Sequence, residues 1–137
     1  MDFNKFLKNG TDFFIPNLSI DIVIIGYKEN KLKCLLLQLN NKWMLPGGYI
    51  GSNEKVDAAA KRILKERTGL EQAHLKFLAV FGDENRQFKN EWKEFVKRFN
   101  FPWKENYWIN KRFVSLSYYS LVNIENTVPK AGIMDEA

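Results

Sequence analysis

Two glycines, two glutamates and two arginines, set at fixed intervals in the middle of the chain, are the residues whose types and spacing could do chemistry. Gly47 and Gly48 follow Pro46, and Glu54, Arg62, Glu66 and Arg67 come after them. A strand that ends in a glycine turn and runs into a helix N-terminus presents free backbone N–H groups, which attract anions such as phosphate. Carboxylates gathered on one helix face hold a divalent cation, and a guanidinium grips a phosphate through paired N–H···O bonds. Arg62 and Glu66 are four residues apart, close enough on a helix for an ion pair worth ~0.2–0.5 kcal/mol. Glu54 is placed to cap or brace the glycine loop.

The surrounding elements must position these groups. Trp43-Met44-Leu45 reads as a short strand stopping at Pro46-Gly47-Gly48, where proline denies a ladder donor and the chain is expected to turn. Ser52-Asn53-Glu54 supplies helix-start chemistry, and Val56, Ala59, Ala60, Ile63 and Leu64 follow at helical spacing, giving a helix over roughly 54–68 that Gly69 ends. Ile63, in the middle of that stripe, reads as a packing residue. Upstream, residues 2–9 form a short amphipathic helix capped by Asp2 and closed by Gly10, with Phe3, Phe6 and Leu7 on one face. The β-branched run 18–27 and the stretch Leu32–Leu39 read as a hairpin across a Lys28–Lys31 turn. Leu75–Phe81 and Phe113–Ile124 are two further strands. The segment between them, 87–111, is an aromatic-rich helical insertion, with Trp92, Phe95, Val96 and Phe99 at helical spacing and Trp103, Tyr107 and Trp108 beyond. Its tryptophans either stack on a base or sugar ring, seal a helix onto the sheet, or form a dimer contact. This order of elements argues for an α+β fold on a mixed sheet.

The spacing around the glycines has a larger pattern. Gly48, Glu54, Arg62, Leu64, Glu66, Gly69 and Leu70 resemble the Nudix box, Gly-x5-Glu-x7-Arg-Glu-U-x-Glu-Glu-x-Gly-U with U aliphatic, at seven of its nine specified positions. Trp43 to Gly48 resembles the lead-in of that family. The resemblance implies an α/β/α sandwich and, in active members, metal-dependent cleavage of a nucleoside diphosphate linked to another group. The two departures are Ile63 and Arg67. At ~100° per residue, positions 63, 66 and 67 share one arc of the helix, where the full pattern gathers three carboxylates for Mg²⁺. Here the arc reads Ile63, Glu66, Arg67 and carries no formal charge. Glu66 is the one remaining candidate for catalysis, with Glu66 and Glu54 as candidate metal ligands, and Mg²⁺ is expected to bind weakly. Arg67 opposes a dication and suits a phosphate instead.

Three further stretches resemble the Nudix-related transcriptional regulators: Asp12-Phe13-Phe14, Phe81 to Arg86, and Arg112 to Tyr119. Those proteins join an effector-binding Nudix domain, often with a damaged box, to a C-terminal winged helix. The resemblance implies an ADP-ribose-like nucleotide or a sugar as effector, with DNA contacted only through a domain that these residues do not include. Gly47, Gly48, Arg62, Arg67, Arg86 and Arg112 are the candidate ligand contacts, and Asp83 or Glu84 the candidates for a late-loop carboxylate. In the resembling proteins a segment like Asp135-Glu136-Ala137 is followed by another strand, a second sandwich helix and the winged helix, so a fragment of a longer regulator is expected.

Composition bounds the alternatives. The chain has 137 residues, enough for one domain over 1–137 with 1–17 as an N-terminal segment, and 45% of them are hydrophobic, unlike disordered chains. A formal net charge of +5 without a run of like charges suits phosphate-bearing ligands, whereas a nucleic-acid footprint would need the basic residues gathered on one face, which composition does not show. No window approaches the ~18 apolar residues of a membrane span. The single cysteine, Cys34, has no internal disulfide partner; beside Leu35-Leu36-Leu37 it reads as a buried small residue, and a reducing cytoplasm is expected. His74, the sole histidine, begins a strand and reads as surface or packing. Three functions are then open: an effector-binding domain with weak or no hydrolysis, expected as a homodimer; a working pyrophosphohydrolase that recruits carboxylates from elsewhere, such as Asp83, Glu84 or the acidic chain end; and a dimerisation module without a small ligand.

Overall fold

A computed structural model describes residues 2–39, 41–71 and 73–123. Helix α1 (Phe3–Asn9) leads through a 3-10 turn (Gly10–Asp12) into β1 (Phe14–Lys28), followed by β2 (Lys31–Cys34), β3 (Leu37–Leu39), β4 (Lys42–Met44) and β5 (Gly47–Gly51). Helix α2 (Val56–Thr68), β6 (Lys76–Phe81), α3 (Lys89–Arg98), a 3-10 turn (Trp108–Asn110) and β7 (Val114–Asn123) complete it. The sheet is mixed: β1 pairs antiparallel with β2 and β5 along one edge and parallel with β7 along the other, and β6 lies antiparallel outside β7. The α+β reading holds. Ile124 and the acidic end Asp135-Glu136-Ala137 lie outside the described residues.

Strand β1 organises the molecule. Ile20, Ile22 and Ile24 alternate with Asp21 and Val23, so one face is wholly apolar. On that face α2 lays Ala59, Ala60, Ile63 and Leu64, with Ile50 and Tyr118 completing the core. Each fully buried isoleucine contributes roughly 1.5–3 kcal/mol. The hairpin turn between β1 and β2 is Glu29-Asn30, both with positive φ (53° and 64°), matching the two-residue turn that follows the twist of its strands.

Several sequence expectations need correction. The first strand begins at Phe14 rather than 18, because its pairing with β5 passes through an irregularity between Phe14 and Ser19 that contains Asn17 at φ 66°. The stretch Leu32–Leu39 is two strands, since β2 closes with the Leu35 N–H on the Ile24 carbonyl and Leu37 then pairs with Met44 of β4. Cys34 is exposed, because β2 is an edge strand. Gly47 and Gly48 are strand residues paired with Asp21 and Ile20, not a turn. The helix starts at Val56, after a turn in which Glu54 N–H bonds the Gly51 carbonyl and Lys55 stays extended. Its end is as expected, with Gly69 left-handed at φ 76°.

The N-terminal helix finds its partner in the aromatic segment. Asp2 caps α1 by accepting the Lys5 N–H at 2.7 Å. Leu7 is buried with Val96, Tyr107, Trp108, Ile109 and Phe113, and Tyr49 joins this cluster to the sheet face away from α2. Gly10 is right-handed there; its role is space, since a side chain would collide with the Trp108 indole. That indole donates to the Phe6 carbonyl at 2.8 Å.

Candidate functional site

Arg62 binds both glutamates of the box. Its Nε and Nη2 donate to the two oxygens of Glu54 at 2.8 and 3.0 Å, and its Nη1 donates to Glu66 Oε2 at 3.0 Å. Nη2 also reaches the Tyr49 carbonyl at 2.6 Å. Glu54 Oε1 accepts the Gly51 N–H at 2.9 Å, so Glu54 braces the glycine strand against α2. The Arg62 hydrogen bonds hold the Glu54 carboxyl below its usual range, and Glu54 in turn raises the Arg62 guanidinium. An open cleft of about 370 Å³ lies beside this clamp, lined by Asp12, Phe13, Phe14, Ser52, Glu54 and Arg62 among others.

Ile63 is 1% exposed and packs on Gly48, where a Cβ would stand 2.9 Å from Ile63 Cγ1. Gly48 therefore admits the helix to the strand. One turn along, Arg67 Nε donates to the Gly47 carbonyl at 3.0 Å. Gly47 lies against Asp21, a residue sequence reasoning missed. Arg86 Nη2 donates to Asp21 Oδ2 at 3.0 Å, and its Nε and Nη2 donate to Ser115 Oγ at 3.1 and 2.9 Å. Ser115 Oγ also bonds Ser19 Oγ at 2.8 Å, across the parallel β1–β7 pair. Burial pushes the Asp21 carboxyl up, against the pull of Arg86 and Ser115. Desolvation likewise raises the Tyr49 phenol, which lies within electrostatic reach of Arg67 and Asp21. The signal for Asp21 was its place in the strand: one acid among isoleucines, pointing away from the core.

The candidate residues thus fall into two groups: Glu54, Arg62 and Glu66 in the clamp, and Gly47, Arg67 and Arg86 around Asp21. Gly48 is the point of β5 on which Ile63 of α2 packs. Arg112 stands apart, exposed, with Nη2 on the Gly82 carbonyl at 2.8 Å. Asp83 and Glu84 are exposed in the turn that the Arg86 N–H closes on the Asp83 carbonyl. Trp92, Trp103 and Trp108 belong to the aromatic cluster, and His74 is exposed ahead of β6.

The donor set does not fit a divalent cation. Both box carboxylates are engaged by one guanidinium, Ile63 supplies no donor, and Arg67 brings a second positive charge. Among the described residues no three His, Cys, Asp or Glu side chains are grouped to hold a metal. No helix there is long and apolar enough to cross a membrane.

Solved structures with this fold include the ADP-ribose complex of the NUDIX domain of Shewanella oneidensis NrtR. It is 23% identical with a TM-score of 0.60, over 97% of this chain and 77% of that one. A MutT/nudix family protein from Enterococcus faecalis is 23% identical with a TM-score of 0.62, and this chain covers 49% of its length while 98% of this chain is matched. A C. elegans Ap4A hydrolase binary complex is 16% identical with a TM-score of 0.60, over 88% of this chain and 75% of that one. No curated protein sequence matches. A NUDIX domain model matches residues 16–132, most of the chain and the whole of the glycine strand and box helix; the chain belongs to the NUDIX domain family.

Proposed function

We propose that this domain binds an ADP-ribose-like nucleoside diphosphate or a sugar effector, as the sensing part of a transcriptional regulator, with little or no hydrolysis. One observation carries the reading: both glutamates of the box are engaged by Arg62 in a site that Arg67 makes more positive. Such a site attracts a diphosphate and disfavours the metal that would activate water on it. The NrtR NUDIX domain, which shares the fold, is known in complex with ADP-ribose. Arg67 and Arg86 are the residues we assign to the effector; Arg62 acts through the geometry of the glycine strand. Any DNA contact belongs to residues other than those described.

A second reading, metal-dependent hydrolysis, draws on Glu66, whose side chain is 59% exposed and holds one ion pair. Heat unfolding of the chain with ADP-ribose and Mg²⁺, with product followed by chromatography, separates the readings. A bound effector at a hundredfold excess over Kd stabilises by ~2.7 kcal/mol. Stabilisation without product supports the sensor. Product formation that Glu66→Gln abolishes supports the hydrolase, and neither response supports a dimerisation module.

A further inference from the structure

Among the described residues the sheet ends in β6 on one side and in β2 and β5 on the other. A free strand edge offers a row of N–H and C=O groups to any other chain, and sequences blunt it with short length, lysine or proline. The four-residue β2 does so with Lys31 and Lys33. The six-residue β6 does not: from Phe77 to Phe81 it carries neither charge nor proline. Phe77, Leu78, Val80 and Phe81 are between 48% and 56% exposed, and the irregularity between Phe77 and Ala79 leaves Leu78 among them. Pairing with β7 assigns their faces. Phe77 stands opposite Tyr118 and Val80 opposite Leu116, on the side that α2 covers, while Phe81 stands opposite Ser115 on the other. The edge is therefore apolar on both faces of the sheet.

The ends of β6 say what fits it. Exposed Lys76 opens the strand, and exposed Asp83 and Glu84 follow its close. A parallel copy would set Lys76 beside Lys76, whereas an antiparallel copy sets the basic end of each strand against the acidic end of the other. We propose that β6 is where this chain joins a second copy of itself, strand to antiparallel strand across a two-fold axis, so that the two sheets become one. An axis normal to the sheet keeps each face on its own side. Phe77 of one copy then meets Val80 of the other on the α2 side, and Lys76 reaches Asp83 diagonally. The interface uses none of the residues assigned to the effector.

Sedimentation equilibrium of the full chain across a range of concentrations tests it. The average mass is expected to rise from 16.1 kDa toward twice that value as concentration increases. Val80→Lys should hold it at one chain throughout, and Leu32→Lys, on exposed β2, should associate as the wild type does. Lys76→Glu should weaken association about fivefold, since the symmetry counts each charge pair twice, and Asp83→Lys in the same chain should restore it. A wild type that stays one chain at every concentration overturns the proposal and leaves the effector reading standing. Val80→Lys or Lys76→Glu associating as tightly as wild type overturns it too. Hydrogen exchange at the β6 amides should slow as concentration rises; slow exchange that ignores concentration means that this chain covers the edge itself, and overturns the proposal. If Val80→Lys does not fold, the charge exchange between Lys76 and Asp83 decides.

Discussion

Removing the Arg62 guanidinium with Arg62→Met breaks every hydrogen bond that it makes in the clamp while keeping the apolar stem. Its contact with Glu54 joins side chains that are 33% and 21% exposed, through two hydrogen bonds between ionised groups. Exposed pairs give ~0.2–1 kcal/mol and hydrogen bonds to charged groups ~1.5–3, so this intermediate site should give about 1–2 kcal/mol. The Glu66 arm is more exposed and contributes ~0.5 kcal/mol at most. The Tyr49 carbonyl loses a donor, a further ~1 kcal/mol. Arg62→Met should therefore cost about 2–3 kcal/mol and lower Tm by roughly 10 °C for a chain of this size. Urea unfolding of Arg62→Met, Glu54→Gln and the double variant forms a cycle whose coupling should be about 1–2 kcal/mol, against a near-neutral Glu66→Gln. The sign with pH follows from Glu54. A carboxyl held below its ordinary 4.5 stabilises the folded state fully above that value and loses the contribution as pH falls through its folded pKa. The gap between wild type and Glu54→Gln should thus close in acid and be constant near neutrality. A coupling under about 0.3 kcal/mol, or a gap that widens in acid, would refute the clamp.

Other consequences are simpler. Gly48→Ala sets a methyl 2.9 Å from Ile63 Cγ1 and should cost about 1–3 kcal/mol by overpacking, measured by chemical denaturation. Gly10→Ala drives a methyl into the Trp108 indole, with a similar cost and a shifted tryptophan emission. Tyr118 donates to Asp57 at 2.8 Å, and burial with that carboxylate pushes its phenol from 10.0 up to about 12. Because the unfolded phenol ionises first, stability should fall as pH rises between those values, and Tyr118→Phe should remove that alkaline decline while costing ~1 kcal/mol near neutrality.

What could be read from the sequence was what depends on near neighbours. The stripe from Ala59 to Leu64, the cap at Asp2 and the left-handed Gly69 obey local rules, and the structure follows them. The glycines misled because Pro46-Gly47-Gly48 looks like a turn wherever it stands; pairing of Gly48 with Ile20 is a tertiary fact that overrides it. Cys34 looked buried because its neighbours are leucines, but exposure on an edge strand is set by what does not pair with it. In the candidate site, the Arg62–Glu66 pair follows from helical spacing alone. Its larger partner Glu54 came from the box pattern, and the fold adds the two-pronged geometry. The Asp21–Arg86–Ser115 group joins residues far apart in the chain through the parallel β1–β7 pairing, which leaves no periodic trace.

Manganese binding tests the central claim most directly, because Mn²⁺ reports on the same oxygen donors as Mg²⁺ and is counted by its paramagnetic resonance. With Arg62 engaging both glutamates and Arg67 adding a second positive charge, the chain should show no site tighter than about 1 mM. A tighter site that Glu66→Gln removes would contradict the account.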